Sequence, residues 1–534
     1  MLATRTAIAA LCLCAASHAH AQPTTRPNAI MTLSSSGVQA NSLSLNVAIS
    51  ADGRHVFYAN RSTNLVIPAT VGQQIFAHDR DPDANGVFDE GNGVTTLMSL
   101  GVDGLEGNGF TGGFNGQASI DCSADGRFVI WQSQSTNLIP ADGSGRPNYD
   151  VFIRDRDPDG NGVFDEGNGV NERINEPVAG GEPSSGDNGN DHIAISDDGR
   201  YVAYSSSSTN LVAPSINSVR PGIYVRDRLT QTNLLIQAPD INFGFRYPDI
   251  SGDGEWVVYA GFFLTGGQQV VVRPRAGGAA VTVSRNDNGD PGDANSGTNP
   301  NSHGPRISRD GRFVVFGSFA SNLDVARPAD QPNMYKLFIH DRDADGNGVF
   351  DEPGGFTTRR MDVGPGGVGG SAFPADPEIS ADGARVVFSS SADNLVPGDA
   401  LPGFQGRDIF LYERATAALS IVSRNDAGTQ ATAQSFDPKI AADGASFIFR
   451  SAANNLVAND SNFGEDVFAR DLPPTGCSAA DLAAPFGALD IADVVGFLSF
   501  FGAMDPRADL AAPAGTFDIA DVVTFLSLFG AGCP

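Results

Sequence analysis

One short phrase returns seven times along this chain, and no other feature limits its fold as strongly. It reads Ile49-Ser50-Ala51-Asp52-Gly53-Arg54, then Cys122-Ser123-Ala124-Asp125-Gly126-Arg127, then Ile195-Ser196-Asp197-Asp198-Gly199-Arg200. The later copies are Ile250-Ser251-Gly252-Asp253-Gly254, Ile307-Ser308-Arg309-Asp310-Gly311-Arg312, Ile379-Ser380-Ala381-Asp382-Gly383 and Ile440-Ala441-Ala442-Asp443-Gly444. A unit repeated in this way cannot bury its apolar face alone and must stack on its neighbours.

Each copy reads as strands. Asp-Gly signals a tight turn, because Gly accepts a positive φ and Asp bonds its own backbone. The turn joins a strand ending at Ile-Ser to a run such as Phe128-Val129-Ile130-Trp131 or Val386-Val387-Phe388. Such runs are apolar at consecutive positions, the pattern of a strand covered on both faces by neighbouring sheets. A Ser/Asn stretch follows, then a third strand, as in 150–155 and 466–471, and a fourth, as in 419–423.

Four antiparallel strands, seven times over, specify an all-β, seven-bladed β-propeller. The seventh copy stops after its third strand at Asp471. The run Ala29-Ile30-Met31-Thr32-Leu33-Ser34 precedes the first anchor as Ser420-Ile421-Val422-Ser423 precedes the seventh. An N-terminal strand within residues 29–36 is therefore expected to complete the last blade and remove both sheet edges.

The Ile-Ser-x-Asp-Gly-Arg-x-Val-x-Phe phrase, the Asn-Leu-Val element and the Val-Phe-x-Arg-Asp strand resemble the TolB-type, WD-repeat-like propeller units of bacterial exported proteins. The resemblance covers roughly residues 29–472. It implies a scaffold that mostly binds proteins or saccharides rather than performing chemistry.

The first 21 residues have the layout of a secretory signal peptide: Arg5, an apolar run from Ala7 to Ala16, then Ala19-His20-Ala21. No segment holds the ~18 uninterrupted apolar residues of a membrane helix. The expected mature protein is exported, to the cell surface, the medium or a periplasm, and has no membrane span. The full chain carries 34 basic and 62 acidic residues, for a net charge of −28. That balance disfavours nucleic acid as a partner and leaves carboxylates free for divalent cations. Cys477 and Cys533 bracket the last segment and invite a disulfide in an oxidising compartment. Cys122 stands where Ile49 and Ile195 stand in sister copies, and reads as a buried, inert thiol.

Three copies carry an acidic insert before their fourth strand. Asp81, Asp83, Asn85 and Asp89 recur as Asp157, Asp159, Asn161 and Asp165, and as Asp343, Asp345, Asn347 and Asp351. These are positions 1, 3, 5 and 9 of an EF-hand-like loop with Gly at 6, a pattern of hard oxygens around a sharp turn that suits Ca²⁺. Position 12 departs from it, being Asn92, Asn168 and Gly354, and the flanks read as strands. The plainer reading is an Asx-turn hairpin tip with solvated carboxylates.

After a linker at 473–476, residues 477–534 hold a second duplication. Leu489-Asp490-Ile491-Ala492-Asp493-Val494-Val495 returns 28 residues later as Phe517-Asp518-Ile519-Ala520-Asp521-Val522-Val523. Ile491, Val494, Val495, Leu498 and Phe501 follow helical spacing, so one loop and helix packs against its twin. The duplicated loop-helix, the flanking cysteines and the terminal Gly532-Cys533-Pro534 resemble a GC-type dockerin. That resemblance implies docking onto a cohesin-like or other scaffold protein. The family's middle Ca²⁺ ligands are absent here, and Asp490 and Asp518 also fit helix N-caps.

Catalytic motifs are scarce. His55, His78, His192, His303 and His340 are scattered over different repeats and read as surface or turn residues. Asp52 and its equivalents recur in every copy as turn residues. The expected function is a non-catalytic exported scaffold. Its propeller engages a polysaccharide or another exported protein, and its C-terminal module provides the tether. The alternative is a propeller polysaccharide hydrolase or lyase anchored in the same way.

Overall fold

The repeated phrase builds the same turn in blade after blade. In the first copy Ser50 Oγ donates to Asp52 and accepts the His55 N–H at 2.9 Å, while Asp52 accepts the Arg54 N–H at 3.0 Å. The arrangement recurs at Ser123, Ser196, Ser251, Ser308 and Ser380. In the seventh copy Ala441 replaces serine, and Asp443 alone takes the N–H groups of Ala445 and Ser446. Gly199 has a φ of +71°, and a Cβ there would fall 2.1 Å from the Phe128 ring of the preceding blade. Glycine is thus required by both backbone and packing. The anchor arginine crosses to the aspartate that ends the third strand, as Arg54–Asp79, Arg127–Asp155, Arg200–Asp227 and Arg312–Asp341.

The computed structural model describes residues 28–112, 120–140, 149–184, 192–216, 220–238, 245–263, 267–297, 304–324, 334–399, 406–462, 464–472, 491–502, 508, 510 and 519–531. Strand β1 (Ala29–Ile30) comes first. Blade 1 is β2 (Ser44–Ile49), β3 (His55–Asn60), β4 (Gln74–Asp79) and β5 (Val94–Leu97). Blade 2 is β6 (Asp121–Cys122), β7 (Phe128–Ser133), β8 (Asp150–Asp155) and β9 (Val170–Arg173). Blade 3 is β10 (Ile193–Ile195), β11 (Tyr201–Ser206), β12 (Gly222–Asp227) and β13 (Thr232–Gln237). Blade 4 is β14 (Phe245–Ile250), β15 (Trp256–Phe263), β16 (Gly267–Pro274) and β17 (Val281–Thr282). Blade 5 is β18 (Arg306–Ile307), β19 (Phe313–Ser318), β20 (Lys336–Asp341) and β21 (Thr357–Arg360). Blade 6 is β22 (Pro374–Ile379), β23 (Arg385–Ser390), β24 (Asp408–Glu413) and β25 (Ala418–Ile421). Blade 7 is β26 (Ser435–Ile440), β27 (Ser446–Ser451) and β28 (Asp466–Asp471), and β1 completes it. Two short helices, α1 (Ile491–Gly502) and α2 (Ile519–Ala531), follow the propeller.

Every blade is a four-stranded antiparallel sheet, and the seventh runs β1-β28-β27-β26. The second strands are buried along their whole length in blades 1, 3, 5, 6 and 7, as their unbroken apolar runs require. The cores lie between blades. Val47, Tyr58 and Phe76 pack on Ile448 and Val467 of blade 7, while Phe57 and Ile75 pack on Trp131 and Phe152 of blade 2.

Around the axis the anchor turns also join one another through the backbone. Ala51 N–H donates to Ala124 C=O, Ala124 to Asp197, Asp197 to Gly252, and Gly252 to Arg309. Ala381 donates to Ala442, and Ala442 returns to Ala51 at 2.9 Å. This belt ties the seventh blade to the first.

Closure uses fewer residues than the 29–36 segment expected from the sequence. Ala29 pairs with Ala469 and Ile30 with Phe468, and Met31 N–H adds a 2.7 Å bond to Val467 C=O. A turn then forms, with Ser34 N–H on Val38 C=O at 2.8 Å and Gly37 at a φ of +77°. Side chains reinforce the junction: Thr32 Oγ1 donates to Asp466, and Gln39 Nε2 bridges Asp460 and Asp466 at 2.9 Å each.

Burial pushes Asp466 up to about 6; the Thr32 and Gln39 hydrogen bonds pull down against it, and Asp460 adds to the rise. Asp408 sits at about 6 in the sister position, where burial again outweighs Ser423 and Gln430. Both carboxyls hold protons more tightly folded than unfolded. Their contribution is therefore most favourable below the unfolded value of 3.8 and is lost as pH rises through about 6. Relative to the parent, Asp466→Asn is expected to gain about 2–3 kcal/mol of stability between pH 4 and pH 7.5. Denaturant unfolding at the two pH values tests this, and a pH-independent difference would remove the buried-proton account.

Candidate functional site

The residue just before each anchor lies on the innermost strand of its blade. In order these residues are Ala48, Asp121, Ala194, Asp249, Arg306, Glu378 and Lys439. The five charged ones converge on the axis, where they line a cavity of about 120 Å³ together with His192, Cys122, Asp197 and Arg309. The local backbone helps to aim them. Pairing slips at Asn46, Tyr247, Asp376 and Asp437, whose φ values are 39°, 57°, 53° and 46°. Such bulges bend a strand and re-aim the side chains that follow.

The charges form one network. Glu378 Oε1 accepts from Arg306 Nε at 2.9 Å and from Lys439 Nζ. Arg306 also meets His192 Nδ1 at 2.9 Å and donates to Pro305 C=O. Asp121 accepts the N–H groups of Cys122 and, in the next blade, Ile195 at 3.0 Å. Asp249 likewise accepts Ile307 N–H of the next blade at 2.9 Å. Arg309 pairs with Asp197. Burial pushes Asp249 up to about 6, with Arg306 opposing it. Burial also raises Asp121. On Glu378 the same burial is outweighed by Arg306 and Lys439, which hold the carboxyl below its ordinary value. The Cys122 thiol is buried and free, and burial raises its pKa well above the ordinary value, in line with the inert role expected for it.

The axial charges escaped the sequence reading although a signal was present. A fixed place in the repeat changes from alanine to acid to base while the next place stays apolar.

The three acidic inserts connect β4 to β5, β8 to β9 and β20 to β21, between strands as expected. Asp81, Asp157 and Asp343 are buried, and each accepts two backbone N–H groups within its own loop, as in Asn85 and Gly86 on Asp81. Asn85 Nδ2 donates to both Asp83 and Glu90; Asn161 does so to Asp159 and Glu166, and Asn347 to Asp345 and Glu352. The ninth-position carboxylates are committed elsewhere. Asp89 pairs with buried Arg80, Asp165 with Arg156, and Asp351 with Arg342 and Arg285.

Those arginines close a second repeated contact. Arg80, Arg156 and Arg342 donate to the anchor-turn carbonyls of Gly53, Gly126 and Gly311. Each guanidinium also lies over the insert's phenylalanine, 4.6–4.8 Å from the Phe88, Phe164 and Phe350 rings. Toward the preceding blade, Arg80 reaches Asp471, Arg156 lies over Phe57 and Arg342 over Trp256. As arranged, the inserts act as clamps between blades. Among the described residues, no group of three His, Cys, Asp or Glu side chains stands close enough to hold a metal ion. Millimolar Ca²⁺ is accordingly expected to leave the melting temperature unchanged. A rise in the parent that disappears in the combined Asp83→Asn, Asp159→Asn and Asp345→Asn variant would restore the cation reading.

The described histidines are not surface or turn residues. His55, His78, His192 and His340 are all nearly inaccessible, because β3, β4 and β20 are sandwiched between blades and His192 faces the axis. Burial drives His55 down to about 3 and His78 down to about 4, and lowers His340 well below its ordinary value. His303 lies outside the described residues, as do residues 1–21, the 473–476 linker, Asp490, Asp518, Cys477 and Cys533.

Helices α1 and α2 pack through Phe497 and Phe525, stacked at 4.2 Å, with Val494, Phe501, Val522 and Phe529 around them. Asp521 accepts the Leu510 N–H at 2.8 Å. The packed face differs from the expected one. Val495 and Leu498 lie on the outside, about 60 % exposed, and Val523 and Leu526 match them in the twin repeat. The helices are apolar nearly all round, so sequence spacing alone did not select the side that pairs.

No protein-family profile matches the chain, and no curated protein sequence matches it. Among solved structures it is similar to a putative TolB from Agrobacterium tumefaciens, at 14 % identity and a TM-score of 0.34, over 67 % of this chain and 90 % of that one. It is also similar to an oligogalacturonate lyase from Vibrio parahaemolyticus, at 12 % identity and a TM-score of 0.43, over 85 % and 99 % of the two chains. An oligogalacturonate lyase in complex with manganese gives 12 % identity and a TM-score of 0.45, over 84 % and 97 %.

Proposed function

We propose that this chain is an exported, non-catalytic binding scaffold, tethered through its C-terminal helices to a cell-surface or extracellular protein. The observation that carries the reading is the duplicated apolar stripe, Val495 with Leu498 and Val523 with Leu526, which a monomeric helix pair leaves in water. A cohesin-like scaffold protein is the partner the reading names, with a polysaccharide or exported protein held by the propeller. The anchor carboxylates support a scaffold role, since they are spent within their own turns.

The test uses the full chain and a Leu498→Glu, Leu526→Glu double variant. The expected result is a partner that is captured from exported proteins, reconstitutes with purified components, and is lost in the double variant. Equal capture by the variant would defeat the tether.

One observation favours the runner-up, a polysaccharide hydrolase or lyase. In the axial cavity one carboxyl, Asp249, is raised while another, Glu378, is lowered, the pattern of acid–base pairs. Release of reducing or unsaturated sugar that is abolished by Asp249→Asn would establish it. Glycan binding without release supports the scaffold.

A further inference from the structure

The axial cavity has a chemistry of its own, independent of any tether. At about 120 Å³ it has room for several waters or one small organic molecule. That is well below the ~300 Å³ at which ordinary ligand pockets begin, and it suits a small molecule.

Its charges are segregated. Asp121 and Asp249 come from blades 2 and 4, and both line the cavity. Each carboxylate is anchored by backbone N–H groups, and no described side chain hydrogen-bonds to either. Across the axis Arg306 and Lys439 share the single carboxylate Glu378. Arg306 is further occupied by His192 and Pro305, whereas the Lys439 ammonium makes its one side-chain bond to Glu378 and keeps donor capacity for the cavity. The two sides sense each other, since Lys439 acts on Asp121 and Arg306 on Asp249.

A simple anion would meet Asp121 and Asp249, and a simple cation would meet Lys439. A molecule carrying both charges a few bonds apart satisfies both walls and adds no net charge to a desolvated site. We propose that the axial cavity binds a small zwitterion of the amino-acid class, its carboxylate on Lys439 and its ammonium between Asp121 and Asp249.

The proposal goes beyond the scaffold reading, and the experiment separates the two because it uses no docking partner. Calorimetric titration of the full chain with glycine and β-alanine is compared with titration by sodium acetate and methylammonium chloride. One-to-one binding of at least one amino acid is expected, about tenfold or more tighter than either half-ligand. Lys439→Met and Asp249→Asn should each weaken it about tenfold or more. Glu90→Gln, on an outer hairpin, should leave it unchanged. Melting curves of the two axial variants are recorded alongside, and if one fails to fold the other alone decides. No saturable amino-acid binding at millimolar concentration overturns the proposal. So does half-ligand binding as tight as amino-acid binding, or full affinity in a folded axial variant.

Discussion

Replacing Arg80 with leucine is expected to lower the stability of the propeller by about 3–5 kcal/mol, the usual result of stripping one partner from a buried ion cluster. Arg80 is 1 % exposed at its side chain and serves two carboxylates, Asp89 of its own insert and Asp471 of the last blade. Burial works against its charge, and the two aspartates outweigh that burial. Leucine would leave both carboxylates facing an apolar neighbour at the junction where the ring closes. Arg54→Leu is the control, since its pair with Asp79 is a quarter exposed and should be worth less than about 1 kcal/mol. Guanidinium unfolding of both variants reads the difference. If the two cost the same, the buried cluster does not hold the junction.

A larger loss is expected from removing residues 22–35. The deletion strips the pairing of Ala29 and Ile30 with blade 7 and the Met31–Val467 bond, at about 1 kcal/mol for each backbone bond, and the burial of Met31, worth about 2 kcal/mol. It also takes the Thr32 hydroxyl away from the buried Asp466 carboxyl. A total of about 5 kcal/mol or more follows, and β28 becomes an open edge. Open edges pair with other chains. The truncated protein should therefore melt lower and run as mixed oligomers on size exclusion. An unchanged midpoint with a single monomeric peak would show that β1 is dispensable.

Much of the fold was legible because the repeat states it. The Asp-Gly turns, the buried second strands and the missing fourth strand of blade 7 all follow from local chemistry multiplied by seven. The inserts were legible as acidic loops, but their role was not. Arg80 and Asp89 are nine residues apart, and only folding shows that Arg80 also reaches Asp471, so spacing could suggest an ion site but not a clamp. The backbone belt leaves no mark in the sequence, since it uses N–H and C=O groups that every residue carries. The axial cavity lay between these cases. Asp121, Asp249, Arg306, Glu378 and Lys439 stand in one repeat column, yet their meeting depends on the ring, which turns places far apart in the chain into neighbours. The C-terminal helices mislead for a different reason: a helix apolar on most sides does not announce which side faces its twin.

The closing strand also sets a schedule. Ile30 leaves the ribosome about 440 residues before its partner Phe468. At ordinary rates of synthesis that interval is roughly 20 to 90 seconds. Throughout it the growing arc has two raw ends, and blade 1 holds out Val47, Tyr58 and Phe76 to a blade that does not yet exist. A chain that stalls anywhere before its last anchor can fold blades but cannot finish a molecule. Only a chain complete through Asp471 can pair β1 with β28 and lose both exposed edges.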